Sequence, residues 1–232
     1  STTATGTSGA SVFSVTGSGA TYTVLANTGS GSGTVQLNVA DNDSIVDNAL
    51  NPLGGVGPGN GNYTFGEIYT IDRVGATVAL SSAAASPTNL NPIPVTVTFN
   101  EAVTGFELAD ITVSNATAAN LSGSGASYTF GLIPTSDGAI TASIAAGAAL
   151  DVAGNPSTAS AVFSRTFDSV GPTVALASVS TNPTNASSIP VTATFNESVT
   201  GFTIADIVAT NATVSTLSGS GTSYSFNLLP SG

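Results

Sequence analysis

The chain lacks several residue types on which common protein chemistry depends. Its 232 residues include no cysteine, histidine, methionine or tryptophan, and the only basic residues are Arg73 and Arg165. Without histidine and cysteine there is no Ser-His-Asp triad, no thiol nucleophile and no zinc site of the usual kind. Without lysine there is no Schiff base and no P-loop lysine. These absences argue against an enzyme, and we expect none.

The charge is almost entirely of one sign. Two basic and thirteen acidic residues give a formal net charge of −11 at pH 7. Two arginines cannot neutralise a phosphate backbone, so we expect no binding to nucleic acid. No apolar run approaches the roughly 20 residues of a membrane-spanning helix, so we expect no membrane insertion of this segment.

An internal repeat with a period of about 96 residues organises the chain. Residues 78–80 (Val-Ala-Leu) recur at 174–176, and residues 99–101 (Phe-Asn-Glu) recur at 195–197. Residues 17–23 match 123–129, so a diverged first copy precedes these two, with extra residues in its glycine-rich stretch 53–61. The sequence therefore predicts three parts: residues 1–73 as the C-terminal part of a diverged repeat, 74–169 as a complete repeat, and 170–232 as the N-terminal part of a third. We expect the chain to be a segment of a longer array.

Each repeat has the pattern of an all-β domain. Short runs rich in Val, Thr, Phe and Ile alternate with Gly, Pro, Asn and Ser clusters, which is typical of strands and turns. Six or seven strands in about 96 residues predict an immunoglobulin-like β-sandwich. The strands predicted in the complete repeat are 77–80, 94–99, 111–113, 127–132, 139–144 and 161–167. The alanine-rich stretch 142–150 is interpreted as a strand that runs into a loop.

Carboxylates are predicted to meet where the chain enters the complete repeat. Because successive strands are expected to run antiparallel, the end of the second strand and two later loops should lie beside the start of the first strand. Ca²⁺ takes six to eight oxygen ligands, so such a group predicts a calcium site. A loop aspartate is more often a turn former or cap, and Asp110 could simply precede a strand. The candidate metal ligands are Asp72, Glu101, Asp110, Asp151 and Asn155, with Asp168, Glu197 and Asp206 beginning the same set in the next repeat.

Four segments together resemble a known family. They are residues 99–106 (Phe-Asn-Glu-Ala-Val-Thr-Gly-Phe), 109–111 (Ala-Asp-Ile), 151–155 (Asp-Val-Ala-Gly-Asn) and 165–173 (Arg-Thr-Phe-Asp-Ser-Val-Gly-Pro-Thr). They are similar to the bacterial Ig-like repeats of giant surface proteins. The resemblance implies a tandem β-sandwich array at the cell surface or outside the cell. It also implies calcium near the domain junctions. In this chain the resemblance assigns its binding to Asp72, Glu101, Asp110, Asp151 and Asp168.

Three functions remain open from the sequence. The first is a structural spacer, stalk or fibre segment of a secreted or surface protein, whose partners are the neighbouring repeats and whose joints calcium stiffens. The second is an adhesin module whose loops bind a glycan or a cell-surface protein. The third is a subunit of an extracellular filament, in which exposed strand edges of separate copies join.

Overall fold

The computed structural model describes residues 2–231, and within them regular structure is almost entirely β. Two short 3-10 helices, Leu108–Asp110 and Ile204–Asp206, interrupt the strands. This architecture confirms the predicted all-β, Ig-like fold. The strands are β1 Thr2–Thr5, β2 Ser11–Ser18, β3 Thr21–Asn27, β4 Gly33–Leu37, β5 Ile68–Ile71, β6 Val78–Ser81, β7 Ile93–Thr104, β8 Ile111–Ser114, β9 Ala116–Pro134, β10 Gly138–Ile144, β11 Leu150–Asp151, β12 Phe163–Phe167, β13 Val174–Ala177, β14 Ile189–Val199 and β15 Ala212–Pro230.

The second repeat is built from two antiparallel sheets. One has the order β11-β7-β6, with β9 on β7, and the other has the order β12-β10-β8. β7 shows why they face each other: Val95 and Val97 are buried, whereas Thr98 between Val97 and Phe99 is exposed. Because side chains alternate along a strand, one face of β7 lies in the core and the other faces solvent. The core residues of the opposing sheet are Ile111, Ile140, Ala142, Ile144, Phe163 and Phe167.

A break in the pairing of β7 turns the chain beside the candidate site. Thr98 pairs with Ser127, but the next pair is Val103 with Gly125, so residues between Thr98 and Val103 leave the regular register. Such a bulge bends a strand and re-aims its side chains. The sequence predicted a strand over residues 94–99 that ends at Asn100-Glu101, whereas the strand continues through the irregular stretch to Thr104.

The other predicted strands lie where the structure has strands, with different bounds. The run predicted at 127–132 is only the second part of β9, and the run predicted from 161 begins at Phe163. The stretch 142–150 leaves β10 after Ile144, passes through a turn and enters the short β11, as expected for a strand followed by a loop.

The third repeat reproduces half of this arrangement. Its sheet has the order β13-β14-β15, and β14 breaks register between Thr194 and Val199 just as β7 does. Within the described residues, 169–231 form one compact unit and 2–168 form another. The first repeat, inside the larger unit, has a sheet β1-β4-β5 and a separate hairpin β2-β3.

Candidate metal centre

Three of the predicted ligands come together at the joint between the first and second repeats. They are Asp72, which follows β5, Glu101 in the bulge of β7, and Asp151 at the end of β11. One carboxylate oxygen of each lies within 4.8 Å of the others. β11 pairs with β7 through Asp151 and Val103, which places Asp151 two positions along from Glu101.

The loop that follows Asp151 holds its carboxylate in place. Asn155 donates from its backbone to Asp151 Oδ1 at 2.8 Å and from its amide to Oδ2 at 2.8 Å. The side-chain hydrogen bond from Asn155 is the main reason why the pKa of Asp151 lies below its usual value. Although Asp151 is only 4% exposed, it is therefore a stable carboxylate anion.

Asn155 also joins the loop to the linker. Its amide Nδ2 donates to the backbone carbonyl of Asp72 at 3.2 Å. The sequence proposed Asn155 as a metal ligand, and this stays a prediction; in the structure its side-chain nitrogen positions both Asp151 and the linker. Nearby, Thr158 donates from its backbone to Ala76 at 2.9 Å, which fixes a second point of the same linker.

On its other side the linker is fastened to the first repeat. Asp72 Oδ1 accepts hydrogen bonds from Ser32 Oγ at 3.2 Å and from the backbone of Val74 at 3.0 Å. The guanidinium of Arg73 donates to Thr28 Oγ1 at 2.8 Å and to the carbonyl oxygen of Gly31. Sequence reasoning missed both Ser32 and Arg73, although the rarity of basic residues was a signal that could have drawn attention to Arg73.

The surroundings of Glu101 disfavour the ionised form of its carboxyl group. Partial burial raises its pKa, and the negative charges of Asp151 and then Asp72 raise it further. Burial and neighbouring negative charges both disfavour the ionised form of a carboxyl group, which is why the pKa is raised. The guanidinium of Arg73 does not offset these charges, because its hydrogen bonds are made to the loop of the first repeat.

The structure does not bring Asp110 into this group. Asp110 is the last residue of the 3-10 helix before β8, and its Oδ2 accepts a hydrogen bond from the backbone of Glu107 at 2.8 Å. Asp206 makes the same bond with Thr203 in the third repeat, and hydrogen bonds from the Thr203 backbone and side chain lower its pKa. These two aspartates stabilise a helical turn at matched positions.

The remaining candidates, Asp168 and Glu197, lie 96 residues after Asp72 and Glu101. Asp168 follows β12, and its backbone donates to the carbonyl of Thr88 at 3.0 Å. Glu197 lies within the irregular part of β14, at the position that Glu101 has in β7.

The three clustered carboxylates offer the donor chemistry of a hard divalent cation. Three carboxylates supply up to about six oxygens, and Ca²⁺ binds six to eight oxygens at about 2.3–2.6 Å. One carboxylate oxygen from each of Asp72, Glu101 and Asp151 lies within 4.8 Å of the others, which is close enough for all three to reach one such ion. The residues present therefore fit calcium, and a bound ion would compensate the charge repulsion on Glu101.

Among residues 2–231 the helices are single 3-10 turns, and none of them could span a membrane.

Comparison with known proteins gives the family of the chain. A comparison with curated proteins found no match. A family model described as a bacterial Ig-like domain matches residues 72–166 and 168–232, which together make up more than half of the chain. Each matched region contains a bulged strand, β7 or β14, and three aromatic rings packed edge to face: Phe99, Phe106 and Tyr128 in the first region, and Phe195, Phe202 and Tyr224 in the second. The chain therefore belongs to the bacterial Ig-like domain family, as a tandem of such repeats.

Proposed function

We propose that this chain is a structural, non-catalytic array of extracellular Ig-like repeats in which Ca²⁺ stiffens the joint between consecutive domains. The observation that carries the proposal is the position of the carboxylate group. Asp72 belongs to the linker after the first repeat, whereas Glu101 and Asp151 belong to the second repeat. An ion bound by all three would tie one domain to the next.

The joint is partly ordered before any ion binds. Asn155 holds the carbonyl of Asp72 from one side, and Ser32 holds its carboxylate from the other. Two of the three carboxylates are thus oriented by hydrogen bonds within the protein, which lowers the ordering cost of binding. Glu101 lies beside the carboxylates of Asp72 and Asp151, so a bound cation would offset the repulsion that they exert on it.

A location outside the cell suits a site of this kind. Extracellular calcium modules commonly have dissociation constants of about 10⁻⁴–10⁻³ M, set by ligand number and rigidity. Bacterial Ig-like domains are commonly found in surface and extracellular proteins. A repeat that contacts mainly its neighbours is suited to spanning distance, which supports a stalk or spacer.

Calcium titration tests the proposal. We expect calcium to raise the melting temperature of the joint-containing unit, because a ligand at a hundredfold excess over its dissociation constant stabilises the native state by about 2.7 kcal/mol. Glu101→Gln should abolish most of this gain. Glu107→Gln, an exposed glutamate of the same repeat outside the carboxylate group, is the matched control and should retain it.

The measurements are isothermal titration calorimetry and thermal unfolding, each with calcium, magnesium or a chelator. Equal melting temperatures in calcium and chelator, or an equal calcium response in the two glutamate variants, would contradict the proposal.

A further inference from the structure

The glycine-rich stretch 53–61 of the first repeat forms a loop over two aspartates. Asp41 is buried, and its Oδ1 accepts a hydrogen bond from the backbone of Asp43 at 3.0 Å. Its Oδ2 accepts one from the backbone of Gly61, also at 3.0 Å. Asp43 Oδ2 accepts a further bond from the backbone of Gly57 at 3.1 Å. The glycine-rich loop is thus closed by backbone N–H groups that donate to carboxylates.

Two neighbouring residues of this loop form a chemically reactive pair. Asn60 and Gly61 are the only Asn-Gly pair in the sequence. In such a pair the backbone nitrogen of the glycine can attack the side-chain carbonyl carbon of the asparagine, and glycine has no side chain to hinder the attack. Asn60 is therefore the asparagine that the sequence makes easiest to deamidate.

Close packing requires the glycine of this pair. A Cβ at position 61 would lie 2.6 Å from the carbonyl oxygen of Leu53 and 2.7 Å from its Cγ. Atoms in a packed structure do not approach so closely, so only glycine fits here. The loop therefore cannot avoid the reactive pair by placing a larger residue after Asn60.

The asparagine of the pair is also part of the loop structure. Asn60 Nδ2 donates to the carbonyl oxygens of Gly55 at 3.1 Å and Val56 at 3.2 Å. An ionised carboxylate has no hydrogen to donate, so at this position it would set an oxygen against two carbonyl oxygens. Deamidation of Asn60 would therefore replace two hydrogen bonds with repulsion.

The buried carboxylate of Asp41 opposes the first step of the reaction. The attacking nitrogen must lose its proton, and that proton is the one that Gly61 donates to Asp41 Oδ2. The hydrogen bond stabilises the protonated nitrogen, and the neighbouring negative charge disfavours the deprotonated one. The folded loop thus contains both the reactive pair and the group that restrains it.

We propose that Asn60-Gly61 is a deamidation site, that Asp41 slows its reaction in the folded chain, and that the product opens the glycine-rich loop. The Gly61 nitrogen forms a bond to Cγ of Asn60, the bond from Cγ to Nδ2 breaks, and ammonia leaves with the proton from the Gly61 nitrogen. Water then hydrolyses the succinimide to aspartate or isoaspartate at position 60. The proposal uses none of the carboxylates of the joint and does not depend on calcium.

Peptide mapping by mass spectrometry, after incubation of the full chain at mildly alkaline pH, follows the reaction. In urea we expect Asn60 to be the first asparagine modified. In the folded chain we expect its modification to be at least tenfold slower, the scale of a hydrogen bond to a charged group. Asn60→Gln should show no modification at this position, because attack on the longer side chain needs a less favourable six-membered ring.

Two variants separate the charge of Asp41 from its shape. Asp41→Asn keeps an oxygen that can accept from Gly61 but removes the negative charge, and it should speed deamidation of the folded chain about tenfold. Asp47→Asn is the matched control, because Asp47 accepts backbone hydrogen bonds in a separate turn. It should leave the rate at Asn60 unchanged, and circular dichroism verifies that both variants are folded.

The effect of the product is measured on Asn60→Asp, which carries the carboxylate from the start. Amide hydrogen exchange of Gly57, Gly59 and Gly61 should be faster than in the wild type, because their hydrogen bonds to Asp41 and Asp43 hold the loop closed. Exchange in β9 of the second repeat should not change.

Equal rates at Asn60 in the folded chain and in urea, equal rates in Asp41→Asn and Asp47→Asn, or unchanged exchange in Asn60→Asp would overturn the proposal. Earlier modification of another asparagine in urea would also overturn it. None of these outcomes bears on the calcium response of the chain, so the failure of this proposal and that of the calcium proposal can be told apart.

Discussion

At the scale of single residues, the negative charge of Glu101 is unfavourable where the fold places it. It lies in the bulge of β7, beside the carboxylates of Asp72 and Asp151, and burial and both charges raise its pKa. An acid with a raised pKa in the folded state binds its proton more tightly when folded than when unfolded. Ionisation of Glu101 therefore lowers the free energy of unfolding of the cation-free protein.

This gives a prediction for Glu101→Gln in chelator. As the pH rises through the window from about 4.5, the ordinary pKa of glutamate, to the higher folded pKa, the wild-type chain should lose stability that the variant keeps. At neutral pH the variant should thus be more stable than the wild type, and the difference should vanish below the window. Urea unfolding at several pH values measures this, and a variant that is less stable at neutral pH would show that Glu101 has a favourable partner.

The pKa of Asp151 is shifted in the opposite direction to that of Glu101, so its effect on stability appears at a lower pH. Its pKa is lowered, first by the Asn155 side chain, so its contribution to stability is present above the ordinary value of 3.8 and is lost as the pH falls through the folded value. Asp41, Asp47 and Asp206 have lowered pKa values as well. Acid unfolding should therefore follow these aspartates, below the window in which Glu101 titrates.

At the scale of structural elements, the linker after Asp72 is held by close backbone contact. A Cβ placed on Gly75 would lie 1.7 Å from the carbonyl oxygen of Pro156, in the loop that carries Asn155. The matching Gly171 has no heavy atom within 4 Å of its Cβ position. Glycine is therefore required by packing at position 75.

The two glycines make a matched pair for mutation. Gly75→Ala should lower the free energy of unfolding by about 1–3 kcal/mol, the usual cost of overpacking, because the backbone of the linker or of the loop must move. Gly171→Ala should change it by less than about 0.5 kcal/mol. Equilibrium denaturation measures both effects. Equal effects would mean that the linker does not rest on the Pro156 loop in solution.

At the scale of the whole molecule, the central feature is how consecutive repeats are joined. The linker between the first and second repeats is bound by Ser32 and Arg73 on one side and by Asn155 and Thr158 on the other. The second joint has Ser169 at the position of Arg73, so the guanidinium contacts of the first joint have no counterpart from that residue. Successive joints of the array are therefore not identical.

The absence of cysteine allows a direct measurement of joint stiffness. Spin labels on Thr23→Cys and Thr129→Cys, exposed and matched positions of the first two repeats, report the distance between them. We expect calcium to narrow the distance distribution, because an ion at Asp72, Glu101 and Asp151 removes motion between the linker and the second repeat. The same labels combined with Glu101→Gln should show no narrowing. A distribution that is equally narrow in chelator would mean that hydrogen bonds alone hold the joint.

The sequence by itself determined the repeat and its architecture. The alternation of Val and Thr in residues 95–98 requires a strand with one buried face, and the 96-residue register carries the same strand to residues 191–194. It also indicated that acids recur at fixed positions. These features are local or periodic, so they can be read without knowledge of distant contacts.

Only the tertiary structure decided which acids meet. Asp110 and Asp151 look equivalent in sequence, since both lie at the edge of a strand. The carboxylate of Asp110 accepts a hydrogen bond within its own turn, from the backbone of Glu107. Asp151 is instead placed beside Glu101 by the pairing of β11 with β7. The bulge that aims Glu101 and the contacts of Ser32 and Arg73 depend on residues far apart in the chain. No local pattern encodes them, because they arise from how separate elements pack against one another.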